Sequence, residues 1–312
     1  MRILIAEPFA SDPEVVDALR RQCPAHDFVV WPEQQKPERA DLLVSWKIPT
    51  ELGRLPEGLR AIFCYGAGIE HIVRDPRVPA TMPVMRLIDP GQADRMLGYA
   101  AAAAFNRLVQ ADGYRLLQSE REWPARPLPV VPAASLRVAV LGLGQIGGYI
   151  AAGLARLGFG VRGWARGRGE LPGVTVYSGA PGLAEAVAGA DVLVNVLPAD
   201  PALRDLIGHE LLAQLALDAV VVNIGRGEHI ELDALREALA SHLGAAWLDV
   251  LPTEPPPLHH WLWQHPKVRL TPHIAGIPTP GGGAMSLGAA ILALEQNTPL
   301  PGLVRPGSKQ PR

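Results

Sequence analysis

Short runs of Val, Leu and Ile alternate with helix-patterned segments along almost the whole chain, and this alternation constrains the fold more than any other feature of the sequence. In the first part the apolar runs are 2–6, 28–31, 42–46, 61–64 and 84–87, with a helix over 13–21 opened by Ser11 or Asp12. Further on they are 137–141, 160–164, 174–177, 192–197, 219–224, 246–250 and 268–270. Most are continuous rather than polar-apolar alternating, as strands covered on both faces must be. Repetition of strand and helix in this way gives parallel sheets with helices on both faces. The 312 residues are comfortable for two such units.

The two series are separated by a helical stretch over 92–117 and then a segment, 119–135, with prolines at 124, 127, 129 and 132. Prolines at that density forbid a regular helix or a central strand, so the segment reads as an extended arm between domains. A last helix over 284–296 follows Gly281, Gly282 and Gly283, with no strand expected after it. The glycine run is expected to loosen the approach to that helix and to soften domain closure.

Composition removes several classes of function. A net charge of −2, from 29 basic and 31 acidic residues without long single-sign runs, leaves no electrostatic footprint for nucleic acid or an anionic membrane. The first apolar run is cut by Glu7 and Pro8, and the Ala-rich stretch at 100–105 is flanked by Arg95 and Arg107, so neither a signal peptide nor a membrane span is expected. Cys23 and Cys64 read as two reduced, partly buried thiols, which fits a cytoplasmic protein. His259, His260 and His265 cluster without metal-ligand spacing, and no metal site is expected.

The apolar run at 137–141 leads directly into G-x-G-x-x-G at 142–147, and a helix pattern follows with Ile150, Leu154 and Leu157 on one face. Gly142 permits the tight turn, Gly144 lets backbone approach a pyrophosphate, and Gly147 lets helix and strand pack closely. The helix start supplies N–H groups and a positive dipole end to the phosphates. A glycine-rich turn without ligand is the plainer alternative, and the strand before, helix after and second strand beyond favour the dinucleotide. An NAD site needs a carboxylate at the end of that second strand. Ala165 stands there, followed by Arg166 and Arg168, whose guanidinium groups match a 2′-phosphate. NADP(H) is therefore preferred, with NAD(H) and two solvated surface arginines as the alternative.

Three later strand ends carry ionisable groups: Arg226 in N-I-G-R-G, Asp249 and Glu254 in L-D-V-L-P-T-E-P, and His273 in T-P-H-I-A-G. Strand C-termini of open parallel sheets are where ligands bind. With the G-L-G-Q-I-G loop, these segments in this order resemble the D-isomer-specific 2-hydroxyacid dehydrogenases over nearly the whole chain. Within that family, W-A-R at 164–166, C-Y-G-A-G-I-E-H-I at 64–72 and L-W-Q-H-P-K-V at 262–268 resemble the glyoxylate/hydroxypyruvate reductase A branch.

The resemblance implies two doubly wound parallel-sheet domains with a cleft between them. A Rossmann cofactor domain would span 100–283, including the long crossover helix and the arm, and a flavodoxin-like substrate domain 1–99 plus 284–312. It implies reduction of a small 2-keto acid such as glyoxylate or hydroxypyruvate by hydride from NADPH. Arg226 would hold the substrate, His273 would give the proton, and Glu254 would partner the imidazole. Gly142, Gly144, Gln145, Ile146, Gly147, Leu197, Pro198, Ile224, Gly225, Asp249 and Gly276 would meet the cofactor, with Arg166 and Arg168 at its 2′-phosphate. Trp46, Ala67 and Gly68 would meet the substrate. Asp249 could equally be a structural acid and Trp46 a core tryptophan. The arm with Trp123 resembles the segment by which the family reaches across a twofold homodimer, against a linker tryptophan packed at home. Two rivals stand beside this reading: an NAD-dependent enzyme of another 2-hydroxy acid, and a nucleotide-sensing protein without turnover.

Overall fold

The computed structural model describes residues 1–6, 11–167 and 169–304. Packing of the chain divides it into two units, Met1–Gln92 with Ile277–Arg312, and Ala93–Gly276. Both junctions lie seven residues before the borders expected at 99/100 and 283/284, since 99 − 92 and 283 − 276 are each 7.

In the first unit β1 (Arg2–Ile5), β2 (Asp27–Val30), β3 (Leu42–Val44), β4 (Ala61–Cys64) and β5 (Val84–Arg86) form a parallel sheet in the order 2-1-3-4-5. That is the flavodoxin-like winding. The helix α1 (Pro13–Gln22) is capped by Asp12, which accepts from the Glu14 N–H at 2.8 Å. A short α2 (Glu70–Val73) follows β4.

Counting by position in the chain, the next helices are α3 (Pro90–Leu108) and α4 (Ala111–Glu120). The single helical stretch expected over 92–117 is thus broken, with Gln110 in the left-handed region at φ 58°. The helical pattern continues on both sides of the break, so periodicity alone does not show it. The arm after α4 is tied back by the Leu128 N–H, which donates to the Tyr114 hydroxyl at 2.9 Å, and by Gln110 Nε2, which donates to the Pro129 oxygen at 3.5 Å. Trp123 on the same arm is 97% exposed.

The second unit carries a parallel sheet of β6 (Arg137–Leu141), β7 (Gly160–Ala165), β8 (Val174–Ser178), β9 (Val192–Asn195), β10 (Val220–Asn223), β11 (Ala245–Leu248) and β12 (Val268–Leu270). Its order is β12-β11-β10-β9-β6-β7-β8, the Rossmann winding with one strand added beyond the sixth. The helices α5 (Gln145–Arg156), α6 (Gly179–Val187), α7 (His209–Leu212) and α8 (Leu232–Ser241) connect these strands. Val138, Val140, Val192, Val194, Val220 and Val222 are buried against α3 and α5, and the opposite face of the sheet packs on α6, α7 and α8. The strand order reverses between β6 and β9, so the loops that leave those two strands lie side by side.

The last helix of the first unit, α9 (Pro280–Gln296), begins at Pro280 rather than at Ala284. The three glycines expected to loosen this segment are its first turn. Gly282 and Gly283 are buried: a Cβ on the former would overlap the Asp89 carboxylate, and one on the latter the Tyr65 hydroxyl. Beyond α9 a strand does follow, contrary to expectation: β13 (Leu303–Val304) pairs antiparallel with β5. Two residues carry no periodicity, and what makes them a strand is the open edge they cover.

Candidate active site

The phosphate loop stands as the sequence implies. β6 runs into Gly142, whose φ of 97° only glycine adopts without strain, and the chain enters α5 through Gly144. A Cβ on Gly147 would overlap the Gly142 carbonyl, so the close crossing of loop and helix needs that glycine. Gly144 and Gln145 are exposed, Ile146 is half-buried, and a Cβ at Gly144 would meet no atom within 4 Å. No side chain caps α5. The first-turn N–H groups of α5 therefore face open space, a fit for a pyrophosphate.

Around this loop the strand ends supply backbone rather than side chains. Leu197 and Ile224 are 6% and 5% exposed, with their side chains in the cores on opposite faces of the sheet. Gly225 is pressed against the neighbouring loop, since a Cβ there would lie 2.9 Å from Asn195 Nδ2 and 3.0 Å from the Leu197 oxygen. Pro198 and Gly276 are half-buried. At the end of β7, Arg166 is exposed, with Nη1 3.7 Å from Asp200 Oδ2. Asp200, in the loop after β9, thus faces this arginine, which spacing along β7 does not reveal. Arg168 lies outside the described residues.

The three ionisable groups of the later strand ends come together within this unit. His273 Nδ1 and Glu254 Oε2 are 2.9 Å apart, and Glu254 Oε1 accepts from the Leu251 N–H at 2.8 Å. Burial pushes the Glu254 carboxyl up, but hydrogen bonds from His273 and Leu251 and the charges of His273 and Arg226 outweigh it, holding the group below its usual range. Arg226 follows β10, donates from Nη1 to the Gly225 oxygen at 2.8 Å, and projects its charge onto the same carboxylate. The next residue, Gly227, has no room for a Cβ, which would overlap the Leu251 backbone. The arginine loop and the glutamate loop are packed main chain to main chain there.

His273 has φ 56°, a left-handed conformation that is uncommon outside glycine. Asp249 holds it there. The buried carboxylate accepts from the Thr271 hydroxyl at 2.6 Å, the Ile274 N–H at 2.8 Å and the Ala275 N–H at 2.9 Å, while the Asp249 oxygen accepts from the His273 N–H at 2.9 Å. Tyr99 donates to the Thr271 hydroxyl at 2.8 Å, and burial is the main cause of its phenol being pushed up to about 12. Asp249 builds the turn from which the imidazole projects.

In the other unit the residues expected at the substrate also sit together. The Trp46 ring packs on Gly66, where a Cβ would lie 2.8 Å from its Cδ1, and lies 4.5 Å from the His71 ring centroid. Buried Cys64 ties the two segments, with Sγ 3.2 Å from the Gly68 oxygen and 3.9 Å from that of Trp46. Ala67 and Gly68 are half-buried. Cys23 is also buried. His260 and His265 use Nδ1 to accept from the Leu262 and Lys267 N–H groups, and among the described residues no cluster of three metal-ligating side chains occurs. Nor, among them, is any helix long and apolar enough to cross a membrane.

Residues that sequence reasoning missed are the supports: Asn195, Asn223, Gly227, His229, Thr271 and Tyr99. Polar residues at the ends of otherwise apolar strands, as at Asn195 and Asn223, were the available signal.

Comparison with known proteins agrees with this geometry. The family model for the NAD binding domain of D-isomer specific 2-hydroxyacid dehydrogenases matches residues 101–275. The glyoxylate/hydroxypyruvate reductase A of Serratia proteamaculans is 35% identical over 311 residues, covering 97% of this chain and 98% of that protein. The NADPH-dependent glyoxylate/hydroxypyruvate reductase of Sinorhizobium meliloti, solved with NADP and sulfate, superimposes with TM-score 0.88 at 30% identity, covering 97% and 98% of the two chains. A D-isomer specific 2-hydroxyacid dehydrogenase of Xanthobacter autotrophicus, solved with NADPH and MES, also gives 0.88 at 30% identity, over 98% of both chains. With the Rossmann winding, the glycine loop and the Arg226, Glu254 and His273 segments in their order, this chain belongs to the D-isomer specific 2-hydroxyacid dehydrogenase family.

Proposed function

We propose that this protein reduces small 2-keto acids, glyoxylate and hydroxypyruvate among them, to 2-hydroxy acids with NADPH, and that His273 is the general acid. The observation that carries the reading is the 2.9 Å contact between His273 and Glu254, made by an imidazole whose left-handed backbone is fixed by Asp249. The names and bound ligands of the relatives support the same reaction and the same cofactor.

NADPH, when bound, supplies the hydride. Addition of hydride to a ketone leaves an alkoxide that needs a proton and a nearby positive charge. Glu254 engages His273 at Nδ1 and orients the ring, so the proton delivered is the one at Nε2. Arg226 cannot lose its proton and acts as fixed charge for the substrate carboxylate and keto oxygen. The open N-terminus of α5 takes the pyrophosphate, and the Leu197, Pro198, Ile224, Gly225 and Gly276 backbone lines the remainder of the cofactor. Arg166 takes the 2′-phosphate in place of its loose pairing with Asp200.

Replacement His273→Ala is expected to lower kcat/KM for glyoxylate by roughly 10²–10⁴-fold, the range for a lost general acid, with NADPH affinity unchanged. A variant reducing glyoxylate at the wild-type rate would overturn the assignment, and a strong preference for NADH would overturn that of Arg166. The exposed Trp123 and the arm that carries it support a homodimer, which sedimentation equilibrium would test against a monomer.

A further inference from the structure

We infer that Asn195, Asn223 and His229 form a sealed hydrogen-bonded unit that positions Arg226, and so governs substrate capture without touching substrate. The inference rests on the role of Arg226 proposed above. All three side chains are at most 1% exposed, at the ends of β9 and β10 and in the turn that follows Arg226. None can reach a reacting atom from there, and each carries polar groups into a core otherwise built from Val, Leu and Ile.

The hydrogen bonds fix how each group is oriented. Asn223 Oδ1 accepts from the Gly225 N–H at 3.2 Å, so its amide nitrogen points the other way and donates to the Arg226 carbonyl at 3.0 Å. Asn195 Nδ2 then donates to Asn223 Oδ1 at 2.8 Å, while Asn195 Oδ1 accepts from the Leu197 N–H at 3.3 Å. The remaining Asn195 N–H faces His229 Nδ1 at 3.0 Å, so that nitrogen is an acceptor and the ring carries its proton on Nε2. Burial first, and then the charge of Arg226, hold His229 in this neutral form. What the ring contributes to this network is the acceptor at Nδ1.

The network therefore ends on three backbone points: the Leu197 N–H, the Gly225 N–H and the Arg226 carbonyl. The first belongs to the loop leaving β9, and the other two to the loop leaving β10. Close packing on the far side, where Gly227 meets the Leu251 backbone, leaves the arginine loop little freedom once these points are set. Removing the acceptor at His229 leaves an Asn195 N–H buried without a partner, on the same amide nitrogen that donates to Asn223, whose own amide sets the Arg226 carbonyl.

The test is steady-state glyoxylate reduction with NADPH in variants of His229 and Asn223, alone and in an Arg226→Lys background. His229→Leu is expected to lower kcat/KM for glyoxylate by about 10²-fold, the cost of roughly an ångström of misplacement. His229→Asn, which restores an acceptor for Asn195, is expected to recover most of that loss. Asn223→Asp keeps the shape and the acceptor but removes the donor to Arg226, and should repeat the loss if His229→Leu does not fold. In an Arg226→Lys background the same substitutions should add almost nothing, because the group they position is already gone. An equal loss in both backgrounds, or no loss in the native background, overturns the inference while leaving the role of Arg226 standing. If Arg226→Lys alone reduces glyoxylate normally, the reading of Arg226 fails and the inference with it.

Discussion

Two helices of this protein begin in glycine-rich turns, and they use them in opposite ways. At the start of α5, Gly144 has no neighbour within 4 Å of a Cβ position and no side chain caps the helix. At the start of α9 the Thr279 hydroxyl accepts from the Gly282 N–H at 3.1 Å, and Asp89 accepts from the Thr279 N–H at 2.9 Å. Gly282 and Gly283 are closed over by Asp89 and Tyr65. One turn leaves its donors for a ligand; the other satisfies them from within the protein and spends its glycines on close packing. Glycine content does not separate a binding loop from a packing joint, and the fate of the first-turn N–H groups does.

Substitutions at these turns can break that contrast. The largest effect is expected at Gly147→Ala, because the Gly142 carbonyl that the new methyl would meet is backbone and cannot swing aside. A penalty of about 3 kcal/mol, the upper end for overpacking, should lower the melting temperature and weaken NADPH binding together. Gly283→Ala meets the Tyr65 hydroxyl, a side-chain end with some freedom, so a loss of about 1–2 kcal/mol is expected in thermal unfolding with NADPH affinity intact. If that variant lost NADPH binding at native stability, the packing role of α9 would be wrong. The sharpest comparison pairs Gly144→Ala with Gly281→Ala, two positions where a Cβ meets nothing within 4 Å. Neither should unfold the protein, and each can gain up to about 1 kcal/mol from helix propensity or a stiffer unfolded chain. Only the first should weaken NADPH binding, by tenfold or more, since its methyl would stand where the pyrophosphate docks. Equal binding by both variants would remove α5 as the phosphate site.

Much of this was legible in advance. The strands 137–141 and 268–270 have the bounds expected from their apolar runs, and Arg226, Glu254 and His273 sit at the strand ends where the motifs put them. Strand formation by a buried apolar run is a local property, and a ligand site at strand ends follows from the winding of the sheet. The departures have the opposite character. The turn at Gln110 interrupts a helical pattern that continues on both sides, and β13 exists because β5 leaves an edge to pair with. Nothing local marks Gly282 and Gly283 as a buried joint, because Asp89 lies 190 residues before Thr279.

By itself, then, the amino-acid sequence determined the two parallel-sheet units, the phosphate turn and the identity of the three ionisable groups, because each depends on periodicity or on a motif within a few residues. Tertiary structure alone decided how those groups are held. Asp249 shapes the turn under His273 across 25 positions for Ile274 and 26 for Ala275, and Asn195 meets Asn223 and His229 across 28 and 34. A hydrogen bond requires its partners within about 3 Å, and only folding brings such distant residues that close.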